Sequence, residues 1–243
     1  TWRVVFDEED WETTNDDTNP NNFNWTYYNS LYSNAKFQNL WGTLNYLNQK
    51  GFNANIALNF MGIVPSWMGG VNINTSSEDE WVEMMASLVY YARNTANVQF
   101  GILSPINEPL WDGIEGPMTD SVQYTRLLNK LSVKLDSLGL SSIRLMGPET
   151  AGGFNTNFVG QMMSDPVVMN KVDHIAFHQY GGDSGGADSY IKNSAYPTKT
   201  FWITEVTDPI AIMTHIGQGP TSVTVWEGFD SVYNHAIRAG RGT

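Results

Sequence analysis

The sequence predicts an incomplete (β/α)8 TIM barrel, and two observations carry that prediction. Short apolar runs alternate with helical patterns along the 243 residues, which calls for parallel strands joined by right-handed crossovers. The first run ends in Phe6-Asp7-Glu8-Glu9-Asp10, the opposite of the Gly-rich phosphate turn that follows the first strand of many open doubly wound sheets. Seven such runs fall one short of the eight strands of a closed barrel, so the chain reads as a barrel with a piece missing. No linker or low-complexity stretch divides it, and residues 1–243 read as a single domain.

Each element has its own signal. Trp2 to Phe6 is the first strand. Ala35 to Lys50 is a helix with Phe37, Leu40, Trp41, Leu44 and Leu47 on one stripe and Gly51 as its stop. Asn55 to Phe60 is the second strand, and Ser77-x-x-Glu80 reads as a capping box opening a helix that turns Trp81, Met84, Met85, Leu88 and Val89 inward. Val98 to Ile106 is the third strand. Asp120 caps a long helix carrying Leu127, Leu128, Leu131, Leu135 and Leu138. Ser142 to Met146 is the fourth strand, followed by a weaker helix over Asn157 to Met169. Asp173 to Tyr180 is the fifth, followed by a short helix around Ala187 to Ser194. Phe201 to Val206 and Ser222 to Trp226 complete the set, and the connection between them is thin for a crossover helix.

Composition narrows the function. Thirteen Lys and Arg against 25 Asp and Glu give a formal charge of −12, which leaves no basic surface to displace counterions from a nucleic acid. No apolar run approaches the ~20 residues of a membrane span. The absence of cysteine removes disulfides, thiolate metal sites and Cys nucleophiles together. Nine Trp, eleven Tyr and many Asn supply amphipathic rings and uncharged donor–acceptor pairs, which suit a neutral, hydroxyl-rich ligand. The expectation is a secreted, extracellular, monomeric protein that needs neither metal nor cofactor.

In a βα barrel the chemistry sits where each strand ends. Those positions hold Asp7/Glu8, Asn59, Asn107-Glu108-Pro109, Glu149, His178/Tyr180, Glu205 and Trp226-Glu227. Glu205 closes the run Phe201-Trp202-Ile203-Thr204, where an ionised carboxylate is costly to desolvate without compensation. Two facing carboxylates in different environments are what glycoside hydrolysis requires, one holding a proton for the leaving oxygen and one ionised. Glu108 sits between Asn107, whose amide can hold a hydroxyl, and Pro109, which fixes the turn.

At these residues the sequence resembles a known group of enzymes. Ser104-Pro105-Ile106-Asn107-Glu108-Pro109 is similar to the Asn-Glu-Pro signature ending the fourth strand of the clan A glycoside hydrolases, and Ile203-Thr204-Glu205 to their seventh-strand nucleophile. Ile175 to Tyr180 resembles their sixth strand, and Arg3 with Trp11-Glu12 their second. Pro65-Ser66-Trp67-Met68 resembles the third-strand Pro-x-Trp-Met of glycoside hydrolase family 30 and its family 5 relatives. The resemblance implies a retaining β-glycanase that cleaves a β-linked polysaccharide or oligosaccharide, with Glu108 as acid/base and Glu205 as nucleophile. By the same token Asn107, His178, Tyr180, Trp226, Trp67, Glu149 and Arg3 are the expected substrate-binding residues. It also aligns Trp2 to Phe6 with the family's second strand, which implies that the first strand and the last helix belong to a longer protein.

Two other readings compete. A barrel of this shape can bind carbohydrate without cleaving it. Gly182-Asp183-Ser184-Gly185-Gly186 follows a strand and matches a nucleophile elbow, which would make Ser184 a hydrolase serine with His215 or His235 as base. The glycines and Asp188 are a poor start for the tight helix an elbow needs, and a glycine loop over a cleft explains the motif as well. His174 and His178, four apart on one strand, sit ~13 Å apart and cannot share an ion. Trp41 and Trp81 fall on helical stripes and belong to the core, whereas Trp11 and Trp111 are left open between core and cleft.

Overall fold

A computed structural model describes residues 1–8, 11–111, 115–180 and 184–226. Seven parallel strands run in the sheet order β1 (Trp2–Asp7), β2 (Ile56–Met61), β3 (Ile102–Ser104), β4 (Arg144–Thr150), β5 (Val172–His178), β6 (Thr200–Val206) and β7 (Ser222–Val225), each paired with the next along the chain. Between them lie α1 (Trp25–Tyr32), α2 (Ala35–Gln49), α3 (Glu78–Asn94), α4 (Ser121–Ser137), α5 (Thr156–Met163), α6 (Pro166–Lys171), α7 (Ala187–Lys192) and α8 (Pro209–Ile216). The sheet is curled into an incomplete barrel. In a flat sheet β1 and β6 would stand about 24 Å apart, five strand spacings, yet Arg3 of β1 places its guanidinium 2.6 Å from Glu205 of β6.

Strand alternation separates two apolar layers. Leu58, Phe60, Leu103, Leu145, Ile175, Phe177, Phe201 and Ile203 point outward into the helix-facing core, while Ala57, Ile102, Met146, Ala176 and Trp202 form a small inner cluster. His174 stacks on Trp202 at 4.3 Å in that inner layer and pairs with the Thr200 hydroxyl. Two residues further along three of the same strands, Asn59, Ser104 and His178 face the same way, one layer nearer the C-terminal mouth. The apolar floor therefore carries the polar site above it.

The sequence-predicted elements are present with differences of detail. The fourth strand, expected over Ser142 to Met146, runs Arg144–Thr150. The third strand shrinks to Ile102–Ser104. Ser77 makes no side-chain cap, because a 3-10 turn at Thr75–Ser77 leads directly into α3; the capping box does not form. The single helix expected over Asn157 to Met169 is two, since Pro166 has no N–H to continue the ladder and instead starts α6 with Asp165 as its cap. The thin connection after β6 holds the eight-residue helix α8. Helix α1 was not foreseen: Asn24 caps it, and Tyr28 and Tyr32, both wholly buried, stack at 5.5 Å. Among the described residues no helix is long and apolar enough to cross a membrane.

Candidate active site

Two carboxylates dominate the mouth of the curled sheet. Glu108, just past β3, and Glu205, on β6, both reach Nδ1 of His178: Glu108 Oε1 at 2.5 Å and Glu205 Oε2 at 3.3 Å. One oxygen of each therefore lies within 4.8 Å of the other. They flank a cavity of about 350 Å³ lined by Glu108, Trp111, Glu115, Tyr180, Glu205, Thr207 and Trp226.

Backbone irregularities place the acids. Strict alternation would turn Glu205 to the face opposite Thr204. Instead Phe177 pairs with Ile203 and His178 with Glu205, so Thr204 is an extra residue on β6, and both neighbours point into the site. The same device operates on β4, where Pro148 pairs with Ala176 and Thr150 with Phe177, leaving Glu149 as the additional residue. Glu108 and Glu149 both adopt positive φ, 40° and 57°. Such a conformation is uncommon outside glycine and persists only where the surroundings hold it. The chain also closes in beside Glu108: a Cβ on Gly116 would stand 1.7 Å from the Asn107 carbonyl oxygen.

A buried ionic network lies below. Arg3 donates to Glu205 Oε1 at 2.6 Å, Asn107 Oδ1 at 2.6 Å and Asn59 Oδ1 at 2.9 Å, with Glu149 Oε1 3.9 Å from its Nε. Glu149 is wholly buried and accepts from Ser104 Oγ at 2.9 Å, from Thr204 Oγ1, and from His178 Nε2 at 3.2 Å. Burial pushes the Glu149 carboxyl up, but Arg3, His178 and Thr204 outweigh it and bring it down to about 2. Burial likewise disfavours charge on His178, and Glu205, Glu108 and Glu149 overcome it, raising the imidazole to about 9. At neutral pH His178 is an imidazolium with both ring nitrogens donating. Burial also opposes the charge on Arg3, and Glu149 and Glu205 hold it raised. Burial and the Glu205 carboxylate keep the Tyr180 phenol protonated, well above its ordinary range, and it donates to Glu205 Oε2.

The expected substrate residues divide by position. Tyr180 and Trp226 line the cavity, and the Arg3 guanidinium lies over the Trp226 ring at 5.6 Å. Asn107 is buried, its amide spanning Arg3 and the Glu115 carbonyl. Arg3, His178 and Glu149 form the base of the site: His178 reaches both acids, Arg3 reaches Glu205, and Glu149 meets them through Arg3 and His178. Trp67 is away from the cavity lining: half-buried against the core, it donates its indole N–H to the Glu12 carbonyl at 2.8 Å. Trp11 is fully buried core.

Three cavity residues were not singled out as site residues: Trp111, 53% exposed, Glu115 and Thr207. All sit in loops, where periodicity carries no signal. Burial, Glu108 and Glu205 together raise the Glu115 carboxyl.

Glu108, His178 and Glu205 are spaced closely enough to bridge a metal ion, and a cation bound there would have to displace the proton that His178 shares with its carboxylate neighbours. The serine-hydrolase reading lacks its pair among the described residues. His215 is buried with its ring nitrogens against Gln218 Oε1 and the Gln179 carbonyl, and Ser184 donates its backbone N–H to the same Gln218 oxygen. Asp183, His235 and Glu227 lie outside the described residues.

The sequence matches no protein-family profile and no curated protein sequence. Solved structures do match the fold. The glycoside hydrolase family 30 subfamily 8 xylanase Xyn30A from Clostridium acetobutylicum is 18% identical with a TM-score of 0.65, over 92% of this chain and 56% of its own. A GH30 endoxylanase from Clostridium papyrosolvens C71 is 15% identical with a TM-score of 0.68, over 92% and 57%. The endo-β1,6-glucanase BT3312 is 15% identical with a TM-score of 0.68, over 93% and 56%. The curled seven-stranded sheet thus shares the fold of these glycoside hydrolase structures, and this chain spans little more than half their length.

Proposed function

We propose that the chain carries the catalytic centre of a retaining glycosidase that cleaves β-linked polysaccharide or oligosaccharide from within. The observation supporting this is the Glu108–Glu205 pair, whose nearest oxygens are within 4.8 Å. Retaining enzymes hold their carboxyl groups about 5–5.5 Å apart, whereas inverting ones leave about 6.5–9.5 Å for a water between them.

Contacts and the motif resemblance assign the roles. Glu205 accepts from Arg3 and Tyr180 and stands beside His178, which fixes its carboxylate toward the cavity as the nucleophile. Glu108, in the Asn107-Glu108-Pro109 motif, takes His178 Nδ1 on its Oε1, which leaves Oε2 for the departing oxygen. Glu205 attacks the anomeric carbon while Glu108 protonates the departing oxygen. Glu108 then takes a proton from the water that releases the glycosyl-enzyme. Trp111, Tyr180 and Trp226 offer ring faces for pyranoses, and Glu115 favours neutral sugars over acidic ones.

The test is release of reducing sugar from xylan and from β-glucan by the chain and by Glu205→Gln. Turnover that Glu205→Gln abolishes, with substrate affinity largely kept, supports the reading. Near-normal turnover in that variant sinks it, and binding without any turnover in either protein decides for a carbohydrate-binding barrel.

A further inference from the structure

A second group of acids lies apart from the cleft, where the segment after β1 meets α3. Asp16 comes from that segment, and Glu80 and Glu83 share one face of the helix. One oxygen of each lies within 4.8 Å of the others. Glu83 is wholly buried, and neither of its carboxylate oxygens meets an N–H or hydroxyl donor; both Asp16 oxygens and Glu80 Oε2 are equally shut from solvent and without such a donor. Other acids stand beside them, Glu80 beside Glu83 and Glu12 beside Asp16. Buried acceptors without donors are destabilising, more so when charged, and here one from each of three side chains converges on one point. The charge of Lys134 reaches Glu83, but its Nζ donates to the Pro20 and Asn21 carbonyls at 3.1 Å each.

We propose that Asp16, Glu80 and Glu83 bind a divalent cation, and that it is calcium. An all-carboxylate donor set selects hard cations over zinc or copper. Calcium takes six to eight oxygens at about 2.3–2.6 Å, so two oxygens on one ion stand at most about 5 Å apart, a span the three residues satisfy. Magnesium demands a tighter octahedron and keeps several waters, whereas five free oxygens on three side chains suit an irregular, partly bidentate shell. The segment is already shaped to present Asp16: Tyr27 donates to the Thr14 carbonyl, Asn24 to the Asp16 carbonyl, and Asp17 accepts from the Asn19 N–H. The same segment supplies the Glu12 carbonyl on which Trp67 rests, so the ion would stiffen one wall of the barrel mouth. This inference is independent of the reaction proposed for Glu108 and Glu205.

The experiment uses the whole chain treated with EDTA, then titrated with CaCl2 at constant ionic strength by calorimetry and thermal unfolding. One ion binds per chain, and at a hundredfold excess over Kd the unfolding midpoint rises by about 5–10 °C. Glu83→Gln and Asp16→Asn each weaken calcium binding at least tenfold, while Glu205→Gln keeps the full response and separates this site from the cleft. Should Glu83→Gln fail to fold, Asp16→Asn in the surface segment reads the same quantity. No calcium-dependent heat or midpoint shift overturns the proposal, as does an unchanged response in both variants. A larger shift with MgCl2 overturns the choice of calcium.

Discussion

Glutamine in place of Glu149 keeps the shape of the side chain and removes its charge from the floor of the site. His178 then loses one of the three carboxylates that raise it to about 9, and the new amide N–H₂ faces groups that already donate: Ser104, Thr204 and His178. Breaking a buried ion pair from one side typically costs about 3–5 kcal/mol. The pH dependence follows from the direction of each shift. His178 titrates higher folded than its ordinary 6.5, so its contribution of about 3 kcal/mol is complete below pH ~6.5 and is lost as pH rises through 9. Glu149 titrates lower folded than its ordinary 4.5, so its contribution is complete above pH ~4.5 and is lost as pH falls through about 2. The network is therefore fully stabilising between about pH 4.5 and 6.5. The assay is the imidazole titration of His178 by NMR, alongside urea unfolding at pH 6 and pH 9. The native chain should titrate near 9 and lose stability between those two pH values. In Glu149→Gln the titration should fall by a unit or more and the loss of stability should shrink. A His178 that still titrates near 9 in the variant would refute the network as drawn.

Two further substitutions probe the site from other sides. Tyr180→Phe removes a hydrogen bond to an ionised acceptor, Glu205, worth about 1.5–3 kcal/mol; kcat on the substrate that proves active should drop roughly 10–100-fold with KM and unfolding midpoint little changed. Gly116→Ala places a methyl 1.7 Å from the Asn107 carbonyl, a backbone atom with no flexible end to yield; the unfolding midpoint should fall, and activity should fall further than stability because Glu108 is displaced with its neighbour.

Much of this arrangement was legible because its physics is local. Asn59, Ser104 and His178 stand two residues beyond Ala57, Ile102 and Ala176 on the same strands, and alternation alone assigns all six to one face. The Asp120 cap of α4 formed as the sequence predicts, its side chain accepting from the Gln123 N–H. What stayed hidden depends on contacts between distant segments. The extra residues at Thr204 and Glu149 break the period of two, and a single strand carries no mark of where its partner slips. Glu149 was therefore expected among the substrate-binding residues rather than beneath the acids. Glu80 sits three residues beyond Ser77 as a capping box requires, yet it joins Asp16 and Glu83, an attraction no local window contains. Helix α1 was missed because Trp, Thr, Tyr, Asn and Ser have weak helix propensity; packing of Tyr28 and Tyr32 against the core decides it, with the Asn24 cap as the one sequence signal.

The central claim is a double displacement by Glu205 assisted by Glu108, and the stereochemistry of the first-formed product tests it most directly. Hydrolysis of a β-linked oligosaccharide, followed by proton NMR before mutarotation, should show the β-anomer appearing first and the α-anomer growing in later. An α-anomer released first would contradict the account, because it would mean that water, and not Glu205, attacks the anomeric carbon.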